Sequence, residues 1–243
     1  MIYRCLCLLF IIAPYNFIGA QPADNIVIKD NVLRITKSPD FEITGDGNTQ
    51  NWETVKWVTL TQRKKMGMVY QTQIKLLYSD AGIYCLFKCD DKKITATLKG
   101  DFLNLYNEDV VEVFFWTDEK MPVYFEYELS PLNYELPILV PNNNGDFFGW
   151  RPWHYEGDRR TRHATHININ KKNAAGEVTS WTAEFFIPFA LLKPMSNVPP
   201  KKGTQWRANF CRIDYDSGTS TWSWQKTRNN FHDYEKFGTL LFE

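Results

Sequence analysis

Polar and apolar positions alternate with a period of two along most of the chain. In residues 69–78, Ile74, Leu76 and Tyr78 share one side, while Gln73 and Lys75 take the other. Residues 83–89 put Ile83, Cys85, Phe87 and Cys89 together, and Ser79-Asp80-Ala81-Gly82 between the two runs carries a hairpin turn signal. Val111, Val113 and Phe115 oppose Glu112 and Phe114. Val123, Phe125, Tyr127 and Leu129 oppose Tyr124, Glu126 and Glu128. Trp181, Ala183, Phe185 and Ile187 oppose Thr182, Glu184 and Phe186, and Trp206, Ala208 and Phe210 oppose Arg207, Asn209 and Cys211. Successive side chains of a strand point to opposite faces, so each run offers one face to a core. Sustained helical periodicity is lacking. Only Phe189-Ala190-Leu191-Leu192, between Pro188 and Pro194, reads as a short helix. The pattern predicts an all-β fold: an antiparallel two-sheet β-sandwich of the jelly-roll or immunoglobulin-like kind. Val111, Val113, Phe125, Tyr127, Phe185, Ile187 and Phe210 are its expected core. Two segments read as long loops, 141–162 and 214–230, and loops of that length are commonly functional.

The chain opens with Arg4, an apolar run over residues 5–12, Pro14 and a small-residue pair, Gly19-Ala20. That order reads as a secretory signal peptide over residues 1–20, followed by one domain over residues 21–243. The run is too short to cross a bilayer, which takes about 20 apolar residues, and no later stretch does better. The expectation is an exported protein without a membrane span, whether periplasmic, cell-surface or secreted. Lys and Arg number 28 against 28 Asp and Glu. This balance leaves no electrostatic footprint for nucleic acid. Aromatic residues make up 16% of the chain, enough for both a core and stacking platforms. Three cysteines follow the leader. Cys85 and Cys89 lie about 13 Å apart on an extended strand and cannot pair with each other. Either could meet Cys211, or all three act as small buried apolar residues.

Carboxylates supply the candidate chemistry. Glu112, Glu126 and Glu184 each sit on the polar face of a strand whose other face is apolar, with Tyr106, Phe114, Trp116 and Tyr124 near by. A solvated outer face would explain the acids but not the rings. A ring beside carboxylates suits a sugar, offering a face to its C–H groups and acceptors to its hydroxyls.

Two segments carry this combination: Leu105-Tyr106-Asn107-Glu108-Asp109-Val110-Val111-Glu112, and Phe231-His232-Asp233-Tyr234-Glu235-Lys236-Phe237-Gly238. With Gly45-Asp46-Gly47, Trp52, Trp181-Thr182-Ala183-Glu184 and Trp206-Arg207-Ala208-Asn209-Phe210, they resemble the family 9 carbohydrate-binding modules and their family 9-like exported bacterial relatives. The likeness covers roughly residues 40–242. It implies a non-catalytic β-sandwich that grips an oligo- or polysaccharide, a chain end included, beside glycan-degrading enzymes. It assigns Tyr106 and Phe231 to the two ring positions, Asp109 to the acid at the strand mouth and Glu112 to the acid on the strand. Glu126 stands where the family carries a binding arginine. Trp150 or Trp153 is expected at the rim of the cleft, and Arg212 or Asp214 in its lining. Family 9 modules contain calcium, and Asp46, Asp90, Asp91, Asp109 and Asp118 offer oxygen ligands. No Asp-x-Asp-x-Asp-Gly loop is present, so no cofactor is expected and a structural Ca²⁺ stays open.

Two other classes were weighed. A glycoside hydrolase would use two carboxylates among Glu112, Glu126 and Glu184. A redox module would hold haem, but no Cys-x-x-Cys-His is present and no ligand cluster has the spacing for haem or catalytic zinc. His163 and His166 do not share a strand face. His154 and His232 read as structural loop residues.

Overall fold

The computed structural model describes residues 31–66, 69–170 and 176–243. The expected signal peptide and the first ten residues of the expected domain lie outside the described residues. Fourteen strands are present among them. These are β1 (Val32–Lys37), β2 (Val58–Lys64), β3 (Thr72–Tyr78), β4 (Gly82–Asp90), β5 (Val110–Trp116), β6 (Val123–Leu129) and β7 (Glu135–Asn143), then β8 (Asp146–Phe147), β9 (Arg151–Pro152), β10 (Arg162–Asn170), β11 (Glu177–Pro188), β12 (Gln205–Asp214), β13 (Ser220–Ser223) and β14 (Gly238–Phe242). The one α-helix, α1 (Phe189–Leu192), lies where the sequence places it.

One leaf runs β10-β11-β4-β3 and the other β14-β12-β5-β6-β7-β8. Pairing is antiparallel between the named strands except along β1, which runs parallel to both β14 and β3 and so joins the leaves. A second seam forms where β2 pairs with β3 and β13, and β13 with β12. The alternating residues meet between the leaves. Val111, Val113, Phe125, Tyr127, Phe185, Ile187 and Phe210 are all fully buried, as expected. Tyr127 of one leaf packs on Phe185 of the other, ring centroids 4.8 Å apart. Burying such side chains contributes roughly 1.5–3 kcal/mol each.

Both leaves also carry a packed outer face. Trp52, Leu77, Tyr84, Leu86 and Phe186 form the layer outside the first leaf. Leu105, Phe114, Tyr124, Leu136, Tyr234 and Phe237 belong to the layer outside the second. Glu184 lies on the first of these, away from Glu112 and Glu126, so the polar strand faces that carry the three acids are not one face of the sandwich. Shared strand parity places residues on the same face only within one leaf. Glu184 is a structural anchor: Oε1 accepts from Trp52 Nε1 at 2.8 Å, and Oε2 from Gly45 N at 2.7 Å and Thr44 N at 3.0 Å. Gly45 has φ +90°, and a Cβ there would meet Ala164 Cβ at 2.9 Å, so the loop reaching Glu184 requires glycine.

The segments read as loops hold short strands. Residues 141–162 contain the end of β7 together with β8 and β9, and residues 214–230 contain β13. These strands are short and polar, so their alternation is weak. The three cysteines are free and buried. Cys85 and Cys89 face the inter-leaf core, whereas Cys211 belongs to the outer layer of the second leaf.

Candidate functional site

The commitment of Val111, Val113, Phe125 and Tyr127 to the core turns Glu112, Glu126 and Glu128 outward on the second leaf. Glu112 on β5 pairs across the ladder with Glu128 on β6, and Phe114 with Glu126. Loops then cover this face, so the three glutamates are only 3%, 2% and 1% exposed. One carboxylate oxygen from each lies within 4.8 Å of the others. They belong to the lining of a cleft of about 400 Å³.

Rings line the same cleft. Tyr106 stands on the short 3-10 turn Leu105–Asn107, anchored by buried Leu105, and the hydroxyl of Tyr215 donates to its carbonyl at 2.8 Å. Trp150 meets Tyr106 edge-on, with centroids 6.4 Å apart at 76°. Phe231 sits T-shaped on Phe114 at 6.5 Å. His232 stacks on Phe147 at 4.3 Å, and its Nδ1 shares a 2.8 Å hydrogen bond with Tyr124 Oη. The same Nδ1 lies 3.6 Å from Glu126 Oε2.

Among the described residues, no lysine or arginine lines this cleft. Burial therefore dominates the titration of its acids. It lifts Glu112 to about 8. Burial, then the neighbouring Glu112 and Glu128, hold Glu126 well above the usual carboxylate range. Burial and then Glu112 do the same to Glu128. Burial also pushes His232 down to about 4. At neutral pH the floor is thus mostly uncharged, with protonated carboxyls that can donate as well as accept. Oε2 of Glu126 and Oε2 of Glu128 are buried without a hydrogen-bond partner, two acceptors left unsatisfied beneath the cleft.

Five of the nine residues expected at the site line the cleft: Tyr106, Glu112, Glu126, Trp150 and Phe231. The other four lie elsewhere. Asp109 is buried and bridges two loops, accepting from Thr95 N at 2.6 Å and Tyr215 N at 2.8 Å. Arg212 and Asp214 share the parity of Phe210 on β12 and so project between the leaves. Cys211 and Ile213 take the outer side. Arg212 Nη2 donates to Asp214 at 2.6 Å and Asp91 at 2.9 Å, and its guanidinium lies 4.8 Å from the Trp222 ring centre. Trp153 packs against the inter-leaf core, donates from Nε1 to the Leu191 carbonyl at 2.8 Å and carries Arg159 over its ring.

Other lining residues were not singled out from sequence. Glu128 had a signal, being two residues after Glu126 on the same face. His232 had one too, as the neighbour of Phe231. Phe147 arrives on the two-residue β8, and Tyr215 and Asn230 on loops, without a pattern. Among the described residues, two acidic sets have oxygens close enough to share a cation, Glu112-Glu126-Glu128 and Asp91-Asp214-Asp216. In the second, Arg212 already supplies positive charge.

The architecture defines a β-sandwich module with a ligand-sized cleft on one outer face. Residues 43–243 match the family described as carbohydrate family 9 binding domain-like, and the chain belongs to that family. Among solved structures it is similar to a candidate carbohydrate-binding protein from Bacteroides uniformis ATCC 8492, with TM-score 0.68 and 17% identity over 88% of this chain and 99% of that one. It is also similar to a family 9 carbohydrate-binding module from Caldicellulosiruptor kristjanssonii in complex with glucose, with TM-score 0.60 and 14% identity over 88% of this chain and 96% of that one. The same module in complex with cellotriose gives TM-score 0.59 and 14% identity over 88% and 94% of the two chains. These identities speak for the fold alone. No curated protein matches the sequence.

Proposed function

We propose that the cleft on the second leaf binds a saccharide by ring stacking and carboxyl hydrogen bonds and breaks no bond. The observation that carries this reading is the convergence of Tyr106, Trp150 and Phe231 with three buried glutamates on one cleft of about 400 Å³. Ligand pockets commonly run from roughly 300 to 1,000 Å³, so the size suits a short saccharide or a chain end. Rings give apolar area to C–H faces. Protonated and partnerless carboxyls on the floor suit hydroxyl groups, which both donate and accept. Family membership and the saccharides in the Caldicellulosiruptor complexes support the same ligand class. A binding role fits better than hydrolysis because the carboxyls stand side by side on one floor, whereas a hydrolytic pair flanks the scissile bond. The leader-like start of the chain supports an exported protein that meets its glycan outside the cytoplasm, beside glycan-degrading enzymes.

A glycan array, followed by calorimetry on the best hit, tests this. Phe231→Ala is expected to weaken binding by about 1–3 kcal/mol through lost apolar contact, with the fold retained and no reducing sugar released by the parent. An array without hits, or a Phe231→Ala variant that binds like the parent, overturns it.

A further inference from the structure

Phe231 is a wall shared by two cavities, one floored by glutamates and the other lined by basic side chains. On one side lies the glutamate-floored cleft, with no lysine or arginine among the described residues that line it. On the other lies a groove of about 620 Å³ lined by Arg63, Lys64, Lys226 and Arg228, with Ile213, Asn230 and Phe231 common to both and no acidic residue among the described residues that line it. Arg228 is balanced by Asp233 at 2.7 Å and Glu235 at 2.8 Å. The other three cations are not balanced in this way. Arg63 directs its hydrogen bonds to Ser223 and the main chain at Trp224, which leaves its charge intact. Lys64 and Lys226 are exposed, and among the described residues neither meets a carboxylate. Three uncompensated positive charges in one groove do not follow from composition, since the chain as a whole carries 28 basic and 28 acidic residues.

We propose that this groove is a second subsite, taking an anionic sugar residue next to the residue held in the cleft. The inference rests on the saccharide reading of the cleft and names the class of glycan: an oligosaccharide whose neutral unit enters the ring-lined cleft and whose neighbour carries a carboxylate or a sulfate. A continuous ligand would cross Phe231, using both sides of the ring. Lys64 and Lys226 supply mobile point charges and Arg63 a more fixed one, a set that attracts an anion of either geometry. Exposed charges act over about 8–10 Å at moderate salt, so the preference should fade as salt rises.

The test is calorimetry at 50 mM and 500 mM NaCl with three probes: cellotriose, a xylo-oligosaccharide carrying one glucuronate and a sulfated carrageenan oligosaccharide. At least one acidic probe is expected to bind about tenfold or more tighter than cellotriose at low salt, with most of that advantage gone at high salt. The uronate and sulfate arms distinguish the two sources of charge. In the Lys64→Gln/Lys226→Gln double variant, whose substitutions are on exposed side chains, the ratio of acidic to neutral affinity should fall several-fold. Cellotriose binding with no acidic preference at either salt overturns the second subsite while leaving the cleft reading intact. So does a preference that survives both high salt and the double variant. If no probe binds and a wider array is also blank, the cleft reading fails and the subsite falls with it.

Discussion

Glu112 on β5 and Glu128 on β6 face one another across the ladder, both buried, and among the described residues no lysine or arginine lines the cleft they share. Like charges directly opposite on a sheet are destabilising, and desolvation adds to that cost. The pair is compatible with the fold because protonation removes the charge.

The consequence is a stability that declines toward alkaline pH. Glu112 is lifted from its ordinary 4.5 to about 8, so its contribution is full below the unfolded value and is lost as pH rises through about 8. Asp109, raised to about 7 with burial as the largest cause, adds the same sign. Urea unfolding is therefore expected to show the protein more stable at pH 5 than at pH 8.5. The slope should approach about 1.4 kcal/mol per pH unit for each titrating group. Glu112→Gln, which cannot ionise, should flatten part of it. A flat profile in the parent would mean that the floor is charged or solvated.

Glu184 separates structure from binding. Removing its carboxylate leaves the Gly45 amide and the Trp52 indole without their acceptor. An unsatisfied buried donor costs about 1–3 kcal/mol, so Glu184→Ala is expected to lose roughly 2–4 kcal/mol in chemical denaturation. Its saccharide affinity should stay within about twofold of the parent at a temperature where both are folded, because Glu184 lies outside the other leaf. A large loss of affinity without a loss of stability would contradict this placement.

Arg212 gives a second, independent stability test. It is fully buried, paired with Asp91 and Asp214, and donates to the Asp90 carbonyl at 2.7 Å. Breaking one side of a buried ion pair costs about 3–5 kcal/mol because the partner charges stay behind. Arg212→Ala should lose that much by urea unfolding. Arg212→Lys should recover only part, since an ammonium cannot reproduce the planar guanidinium geometry against Trp222 or reach as many acceptors. Full rescue by lysine would show that charge alone is sufficient.

The fold was legible wherever a strand buried one face fully. The strands through Val111, Phe125 and Phe185 show clean alternation, and the expected core residues are the buried ones. Short polar β13 and half-buried β10 lack that signal because pairing, rather than a hydrophobic face, defines them. Part of the cleft was legible for the same reason, since Glu112 and Glu126 must face away from the core. The errors have physical causes too. Glu184 has the right parity on the wrong leaf. Arg212 has the parity of Phe210, which already assigned it to the interior. Which loop tryptophan reaches the cleft depends on how residues 141–162 fold back, and this is not periodic.

That last point supplies the sharpest binding test. Trp150 and Trp153 are three residues apart, half-buried and chemically identical, yet they serve different parts of the molecule. Trp150 lines the cleft edge-on to Tyr106. Trp153 lies against the inter-leaf core and ties its indole to the carbonyl of Leu191 on α1. Trp150→Ala should therefore weaken saccharide binding by about 1–3 kcal/mol, the value of a ring's apolar contact, and change unfolding free energy by less than about 1 kcal/mol. Trp153→Ala should do the reverse. It opens a cavity beside the core and removes a hydrogen bond, costing roughly 2–4 kcal/mol for a half-buried ring, while affinity stays near the parent's. Calorimetry and urea unfolding on the two variants give four numbers. The assignment of the cleft stands only if large effects fall on affinity for Trp150→Ala and on stability for Trp153→Ala. The opposite pattern would move the binding face to the α1 side of the sandwich.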